Sequence, residues 1–361
     1  METGSSTAAF TRALAGLLAA AGLLSACGSG HTKAASRPAG TSPPTTAATT
    51  TAPPAVATCP LTGLPAPGGK VPQRPALAIK VENLPQARPQ YGLSEADVIY
   101  EEPVEGGITR FIVIFQCHEA ARVEPVRSGR IIDPEIVMQY GAHPLLGYAG
   151  GIQAAVSAID HSPLVDLSFT HAPPADYWRD PARYAPHNLE TSTSALWAYA
   201  ASLGSAPTPP PSPFSFGPPV VGGTPAGSVH IAYPYSNLTW TWDPTAGVWE
   251  RSYDDVGDVG PAMTGGGRRI TAVNVVVMHV VEYPSQYVED PTGAHENLLT
   301  LTGSGPAQVF RDGAEFSGSW VRPSLSDVTK YVMPSGQTIT LQPGNTWIEL
   351  VPTTVATTVT P

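Results

Sequence analysis

Apolar runs of strand length alternate with helical patterns in the first half of the chain. Strands are predicted, from β-branched and aromatic residues between turn residues, at 76–81, 97–102 and 109–116. Helices are predicted, from apolar periodicity, at 133–140, 152–160 and 190–202. Asp133-Pro134-Glu135 supports the first helix because it supplies an N-cap, a first-turn proline and a first-turn acid. Strands interleaved with helices indicate an α/β-type domain over 59–204.

A tryptophan-rich pattern follows in the second half. Trp240 and Trp242 alternate with threonines, a turn occupies 243–247, and Trp249 lies in the next run. This pattern predicts a β-hairpin with one aromatic face. Such a face either belongs to the core or stacks on sugars, and both interpretations stay open here.

The remainder of the second half is also of β type. Residues 270–283 form a nearly continuous apolar run, which is typical of a strand buried on both faces. Shorter strands are predicted at 309–316, 338–341 and 346–351. We therefore predict a mostly-β domain over 228–352. The predicted fold class is α+β, with an N-terminal α/β-type domain followed by a mostly-β C-terminal domain.

Composition predicts three segments outside these domains. Residues 205–227 contain eight prolines and several glycines, which indicates a Pro/Gly-rich linker. Residues 28–58 are mainly Ser, Thr, Ala, Pro and Gly, with almost nothing to bury, which predicts a disordered tether. The Thr/Val-rich residues 353–361 are predicted to be a frayed tail.

The N-terminus has the pattern of an export signal. An apolar stretch of 12 residues, 13–24, follows Arg12 and is too short to span a bilayer. It ends in Leu24-Ser25-Ala26-Cys27, which resembles a bacterial lipobox. We predict a lipoprotein signal peptide over 1–27, acylation of Cys27 by lipid such as palmitate, and anchoring to the extracytoplasmic side of the cell membrane. The alternative is an ordinary signal peptide with a chance cysteine.

Two cysteines remain once Cys27 is assigned to the anchor. An exported chain lies in an oxidising compartment, so Cys59 and Cys117 are predicted to form a disulfide. Closing a loop of about 58 residues would stabilise the fold by roughly 4 kcal/mol in the chain-entropy description. Two free thiols are the alternative.

Charge and motifs exclude several functions. A formal net charge of −10 argues against nucleic acid as a partner, because little would neutralise a phosphate backbone. The sequence contains no P-loop, dinucleotide-binding fingerprint, G-x-S-x-G, CxxC or HExxH motif. We therefore predict no cofactor and no metal. His279, inside an apolar strand, is predicted to be a core residue, and a metal site at the loop histidines is the weaker alternative.

Charged residues concentrate beside glycine turns between positions 97 and 130. The candidate ligand-binding residues are Asp97, Glu101, Glu105, Arg110, Arg127 and Arg130. Three arginines beside glycine loops favour an anionic ligand, because a guanidinium group binds phosphate or carboxylate through two hydrogen bonds. The alternative is that the glutamates pair with the arginines and only hold these loops in place.

Several short segments occur together and in a fixed order. They are Pro60–Gly63, Arg88–Leu93, Ala96–Glu101, Val104–Arg110, Pro125–Arg130, Asn274–Val277, Gly303–Gly305, Arg311–Gly313 and Thr346–Glu349. In this order they resemble the YerB-like bacterial lipoproteins, a family defined by a domain of unknown function with a companion C-terminal domain. The resemblance covers most of 60–352 and implies no reaction. Relatives tend to have His-Ala-Gly-Gly-Ser where this chain has Tyr148-Ala149-Gly150-Gly151-Ile152, so a role of that imidazole or hydroxyl is not carried over.

Two functional hypotheses follow. In the first, the lipoprotein is a binding or scaffold module for an anionic small molecule, a cell-wall component or an envelope protein. In the second, it is an envelope enzyme acting on polyprenyl-pyrophosphate-linked cell-wall precursors, by similarity to LytR–CpsA–Psr-type transferases. There Arg110, Arg127 and Arg130 would hold a pyrophosphate, and Asp97 or Glu101 would help hold a metal. The enzyme requires these residues to converge on one open cleft. Whether the protein is an enzyme stays open.

Overall fold

The computed structural model describes residues 56–255, 257–289 and 291–361. The predicted signal peptide with Cys27, and nearly all of the predicted tether, lie outside the described residues. In the part of the chain that is described, no helix is long and apolar enough to cross a bilayer.

The described part of the first half supplies seven strands and three α-helices, besides five short 3-10 helices. The strands are β1 (Leu77–Glu82), β2 (Val98–Pro103), β3 (Thr109–Phe115), β4 (Leu145–Gly147), β5 (Val165–Asp166), β6 (Tyr177–Arg179) and β7 (Leu189–Thr191). The helices are α1 (Asp133–Val137), α2 (Gln153–Asp160) and α3 (Thr193–Ser202). All three helices lie within the ranges that periodicity predicts, and α3 begins where the Ser192 side chain caps the Ala195 amide.

The second half of the chain contributes only strands to the described structure. They are β8 (Thr224–Pro225), β9 (Ser228–Ile231), β10 (Leu238–Asp243), β11 (Val248–Asp255), β12 (Asp258–Pro261), β13 (Thr271–Ala272), β14 (Asn274–Val280), β15 (Glu282–Val288), β16 (His295–Leu299), β17 (Gly303–Arg311), β18 (Ala314–Arg322), β19 (Lys330–Val332), β20 (Thr346–Pro352) and β21 (Thr357–Thr360). The fold is therefore mixed but rich in strands, as the α+β prediction requires at this coarse level.

Strands from both halves share one eleven-stranded sheet, in the order β19-β18-β17-β14-β20-β2-β3-β1-β4-β5, with β8 paired to β18. The halves meet where β20 runs parallel to β2, with Glu349 opposite Glu101. All described residues belong to one compact unit. The domain boundaries at 59–204 and 228–352 thus stay a prediction about the sequence, because the sheet is continuous across them.

Two layers cover this sheet. On one face, Ile136 of α1 and Ile159 of α2 cluster with Ile112 of β3. On the other face, Leu196 of α3 and the second sheet, of six strands, pack against Phe111. The second sheet has the order β12-β11-β10-β9-β21, with β13 beside β11, and its Trp240 and Trp249 are fully buried. These two rings of the predicted hairpin therefore belong to the core.

Three predicted segments differ in the structure. The run 270–283 is divided among β13, β14 and β15, because β13 pairs in the second sheet whereas β14 pairs in the first. The tail predicted to fray forms β21 instead, whose Thr and Val residues pair with the free edge of β9. The predicted linker is partly packed, since Phe214 is buried and Phe216 bridges to Leu341.

The predicted disulfide between Cys59 and Cys117 is confirmed. Both cysteines are buried, and they tie the segment that precedes β1 to the end of β3. The bond lies at the opposite end of β3 from Arg110.

Candidate functional site

Strand alternation separates the predicted site residues. Successive side chains of a strand point to opposite faces, so Glu101 and Glu102 of β2 lie on different sides of the sheet. Directly opposite residues of paired strands share a face, and Arg110 of β3 lies opposite Glu102. The arginines therefore gather on the α1/α2 face, whereas Glu101 faces the second sheet.

Asp97 lies just before β2, far along the strand from the arginines. Its carboxylate accepts hydrogen bonds from the backbone N–H groups of Gln116, at 2.5 Å, and Cys117, at 3.0 Å. It also binds His118, and this hydrogen bond raises the pKa of that imidazole. Asp97 thus fixes the end of β3 beside the disulfide and does not join the arginines.

Glu101 belongs to a fully buried group with Arg251 and Glu349, which we call the core cluster. The Arg251 guanidinium lies 2.9 Å from Glu101 and 3.7 Å from Glu349. Burial, and then the charge of Glu101, raise the pKa of Glu349 well above its ordinary value. Four aromatic rings lie 5.1–5.7 Å from the guanidinium carbon, those of Phe111, Trp240, Tyr253 and Trp347. This cluster is sealed between the two sheets.

Glu105, Arg110 and Arg130 form the centre of a second group. Glu105 is placed by the glycine turn 105–107, in which Gly106 has a φ of 72°. Arg130 Nε donates to Glu105 Oε2 at 2.9 Å, and Arg110 Nη2 donates to Glu105 Oε1 at 3.3 Å. Burial alone would raise the pKa of Glu105, but Arg110 and Arg130 hold it below its ordinary value. Glu105 therefore pairs with Arg110 and Arg130, as the alternative hypothesis of Glu–Arg pairing predicts.

Lys80 adds a cation that the sequence analysis did not select. It is fully buried, contacts Glu102, and donates to Asp133 at 2.7 Å. Burial lowers the pKa of Lys80 to about 8. The available signal was a lone charged residue inside the apolar strand ALAIKV.

Arg127 forms the partly open side of this group. Its side chain is 22% exposed, and its Nε lies 3.4 Å from Glu82 Oε2 without making a hydrogen bond. His187 Nδ1 contacts the same carboxylate oxygen at 2.9 Å. We call Arg110, Arg127 and Arg130, with Lys80 and the carboxylates that they contact, the arginine cluster.

Hydrogen bonding within the arginine cluster is incomplete. Arg110 is 5% exposed, yet its Nε and Nη1 have no hydrogen-bond partner among the described residues. Burial, and then repulsion by Arg130, lower the pKa of Arg110 to about 10. Two buried oxygens, Glu82 Oε1 and Glu102 Oε2, also have no partner there. Unmet donors and unmet acceptors thus occur in the same cluster, and each is costly when buried.

A β-hairpin covers the arginine cluster from outside the main sheet. Strands β15 and β16 pair only with each other in the described structure. Glu289 lies 2.8 Å from Arg130 Nη2, and Glu296 accepts a hydrogen bond from the Ile131 N–H group. Burial raises the pKa of Glu296 to about 7. Sequence reasoning missed these carboxylates, since nothing local relates them to residues more than a hundred positions earlier.

Two glycine loops contact each other beside Arg127. The Ala149 N–H donates to the Arg127 carbonyl at 2.8 Å, and the Gly129 N–H donates to the Gly150 carbonyl at 2.9 Å. A Cβ atom on Gly151 would lie 3.1 Å from the Gly129 carbonyl oxygen. Segment 125–130, which carries part of the family resemblance, therefore meets the 148–152 loop here. Tyr148 occupies the position of the relatives' histidine, and its hydroxyl donates a hydrogen bond to the Asp166 carboxylate.

An open groove of about 450 Å³ adjoins this loop. It is lined by Ile152, Gln153, Ala154, Ser157, Tyr287 and Val288. One wall follows directly after Gly151, and the other directly precedes Glu289. We call it the hairpin groove. One wall therefore continues into the loop that contacts Gly129, and the other continues into Glu289, which contacts Arg130.

The protein therefore has a mixed, strand-rich fold whose halves are joined by strand pairing, with a hairpin covering the arginine cluster. The models of the "Protein of unknown function (DUF3048)" N-terminal and C-terminal domains match residues 61–206 and 229–348. This chain belongs to the DUF3048 family, so the predicted resemblance is confirmed.

A curated relative is similar over most of the chain, and a solved structure has a similar fold. "Putative lipoprotein YerB" of Bacillus subtilis (strain 168) is 28% identical over 302 residues, which cover 81% of this chain and 86% of that protein. The crystal structure of the YerB protein from Bacillus subtilis matches with a TM-score of 0.72 at 24% identity. That match covers 84% of this chain and 99% of the other, and shows a common fold.

Proposed function

We propose that this protein is a lipid-anchored binding protein of the cell envelope, and that its arginine cluster binds an anionic ligand. The lipobox-like segment ending at Cys27 supports the anchor, and so does the name of the relative in Bacillus subtilis. The disulfide between Cys59 and Cys117 is consistent with an oxidising, extracytoplasmic compartment.

The anchor has a direct test. We expect Cys27→Ala to move the full chain from the membrane fraction to the soluble fraction of producing cells. Mass spectrometry of the wild-type N-terminal peptide should show an acylated Cys27. An unmodified Cys27, with the chain still in the membrane fraction, would contradict a lipid anchor.

The observation that carries the ligand proposal is the unsatisfied state of Arg110 next to the partly exposed Arg127. Arg251 of the core cluster also has two partnerless nitrogens, but that cluster has no exposed member. A buried guanidinium with two partnerless nitrogens has desolvated donors that an anion can satisfy, and Arg127 supplies a third such nitrogen at the open side. The nearby loops contain Gly129, Gly150 and Gly151, so the backbone can approach a ligand closely.

The hairpin carboxylates occupy contacts of the kind that an anionic ligand would make. Glu289 holds Arg130, and Glu296 holds the Ile131 N–H group. Within the described ranges, strands β15 and β16 form no ladder with the main sheet. A ligand that displaces Glu289 and Glu296 therefore breaks no hydrogen bond of the main sheet. The transferase alternative needs Asp97 or Glu101 beside the arginines, and both side chains lie elsewhere.

Isothermal titration with inorganic pyrophosphate tests the ligand proposal. We expect saturable binding to the wild-type protein and at least about tenfold weaker binding to Arg127→Gln, the loss of about one charged hydrogen bond. Arg268→Gln is the matched control, because Arg268 is an exposed arginine that pairs with Glu95 outside the cluster. No binding to the wild type, or equal losses in both variants, would contradict the proposal.

A further inference from the structure

The hairpin groove can receive the uncharged part of a ligand whose charge lies at the arginine cluster. Its volume, about 450 Å³, is within the usual range of small-molecule sites, roughly 300–1,000 Å³. Ile152 follows Gly151, which approaches the Gly129 carbonyl, and Val288 precedes Glu289, which contacts Arg130, so both walls of the groove lie one residue from contacts of the 129–130 segment.

The lining of the groove favours a polyhydroxylated group over a hydrocarbon chain. Tyr287 presents a ring that is 44% exposed, while Gln153 and Ser157 offer an amide and a hydroxyl. The apolar side chains of Ile152, Ala154 and Val288 lie among these groups, but the groove is open, so it would leave much of a hydrocarbon chain in water. A sugar ring can stack an apolar face on Tyr287 and hydrogen-bond to polar neighbours.

The arginine cluster supplies a second, independent indication. An anion alone would satisfy the nitrogens of Arg110 and Arg127 but would leave Glu82 Oε1 as a buried acceptor without a donor. A ligand that carries hydroxyl groups beside its anionic group provides both kinds of partner. From these two observations we infer that the ligand is a glycosyl phosphate, with its phosphate at Arg110 and Arg127, the hydroxyl group next to the phosphate directed to Glu82, and the far side of the sugar in the hairpin groove.

This inference rests on the proposed anion site, and titration with four probes separates the two. The probes are inorganic phosphate, glucose, glucose 1-phosphate and farnesyl phosphate. We expect glucose 1-phosphate to bind the wild-type protein about tenfold or more tightly than phosphate, in keeping with one stacked ring plus hydrogen bonds. Glucose should show no binding above the buffer control. Farnesyl phosphate should bind no more tightly than inorganic phosphate.

Tyr287→Ala should remove the advantage of glucose 1-phosphate and leave phosphate binding unchanged. Tyr283→Ala is the control, since Tyr283 lies on the same strand and is similarly exposed, at 47%, but does not line the groove. Equal affinities for phosphate and glucose 1-phosphate, a larger gain for farnesyl phosphate, or equal losses in both tyrosine variants would overturn the inference while leaving the anion site. Failure of every phosphate probe to bind would overturn both proposals.

Discussion

Two clusters of arginine and glutamate lie on opposite faces of the same strands. In the core cluster, Arg251 meets Glu101 and Glu349, and both carboxylates belong to strands of the main sheet. In the arginine cluster, Arg130 meets Glu105 from a glycine turn and Glu289 from the separate hairpin. The residue types are the same, but the elements that carry the carboxylates differ.

This difference indicates which cluster can be functional. Aromatic rings and two sheets enclose Arg251, so its carboxylates cannot leave without unfolding of the core. Glu289 and Glu296 instead belong to a hairpin that pairs with no strand of the main sheet among the described residues, and Arg127 is partly exposed. We therefore interpret the core cluster as structural and keep the arginine cluster as the proposed ligand site.

The largest expected effect is that of Arg251→Met. Removing the cation leaves Glu101 buried beside Glu349 without compensation, which should lower the free energy of unfolding by about 3–5 kcal/mol. Urea denaturation measures this loss. The triple variant with Glu101→Gln and Glu349→Gln should recover much of it, because no uncompensated charge remains. A loss below about 1 kcal/mol would show that the core cluster is not structural.

A smaller, pH-dependent effect is expected from Glu296. Its pKa is raised from 4.5 to about 7, mainly by burial, in contact with the Ile131 N–H group and near Arg130, Glu289 and Asp133. Between these pH values the folded protein retains a proton that the unfolded chain has lost. Glu296 therefore makes stability fall as the pH rises from 4.5 to 7, by at most about 1.4 kcal/mol per pH unit.

Urea denaturation of the wild type and Glu296→Gln from pH 5 to 8 measures this contribution. The glutamine cannot ionise, so the variant should lack this part of the slope and gain on the wild type as the pH rises to 7. Above pH 7 the difference should stay constant. Identical slopes in the two proteins would contradict the assigned environment of Glu296.

The smallest expected effect on stability is that of Arg127→Gln. Arg127 is partly exposed and faces Glu82 without a hydrogen bond, so the free energy of unfolding should change by less than about 1 kcal/mol. The same change should weaken pyrophosphate binding. Thermal denaturation with and without pyrophosphate measures both. A large loss of stability would place Arg127 with Arg251 as a structural residue.

Local patterns predicted most of the elements but not their partners. The apolar runs near β1, β2 and β3 and the periodicity of the helices are local, and so they could be read from the sequence. The pairing of β2 with β20 joins residues about 250 positions apart, and no local pattern specifies it.

The candidate site residues show the same contrast between local features, which the sequence predicts, and pairing between strands, which it does not. Glu105, Arg110 and Arg130 were selected because they flank glycine turns, and they do meet. Glu101 was selected by the same proximity, but the register of β2 and β3 places Glu102 opposite Arg110. A shift of one residue exchanges the two faces of a strand, so sequence proximity could not decide between these glutamates.

The central claim is that hairpin carboxylates and an anionic ligand compete for the arginine cluster. The most direct test is titration of pyrophosphate at pH 8, where Glu296, with a pKa of about 7, is mostly ionised. The double variant Glu289→Gln/Glu296→Gln should bind pyrophosphate about tenfold or more tightly than the wild type, since neutral amides compete less for Arg130 and the Ile131 N–H group. Glu95→Gln, which removes a carboxylate outside the cluster, should have no effect. Unchanged or weaker binding by the double variant would contradict the claim.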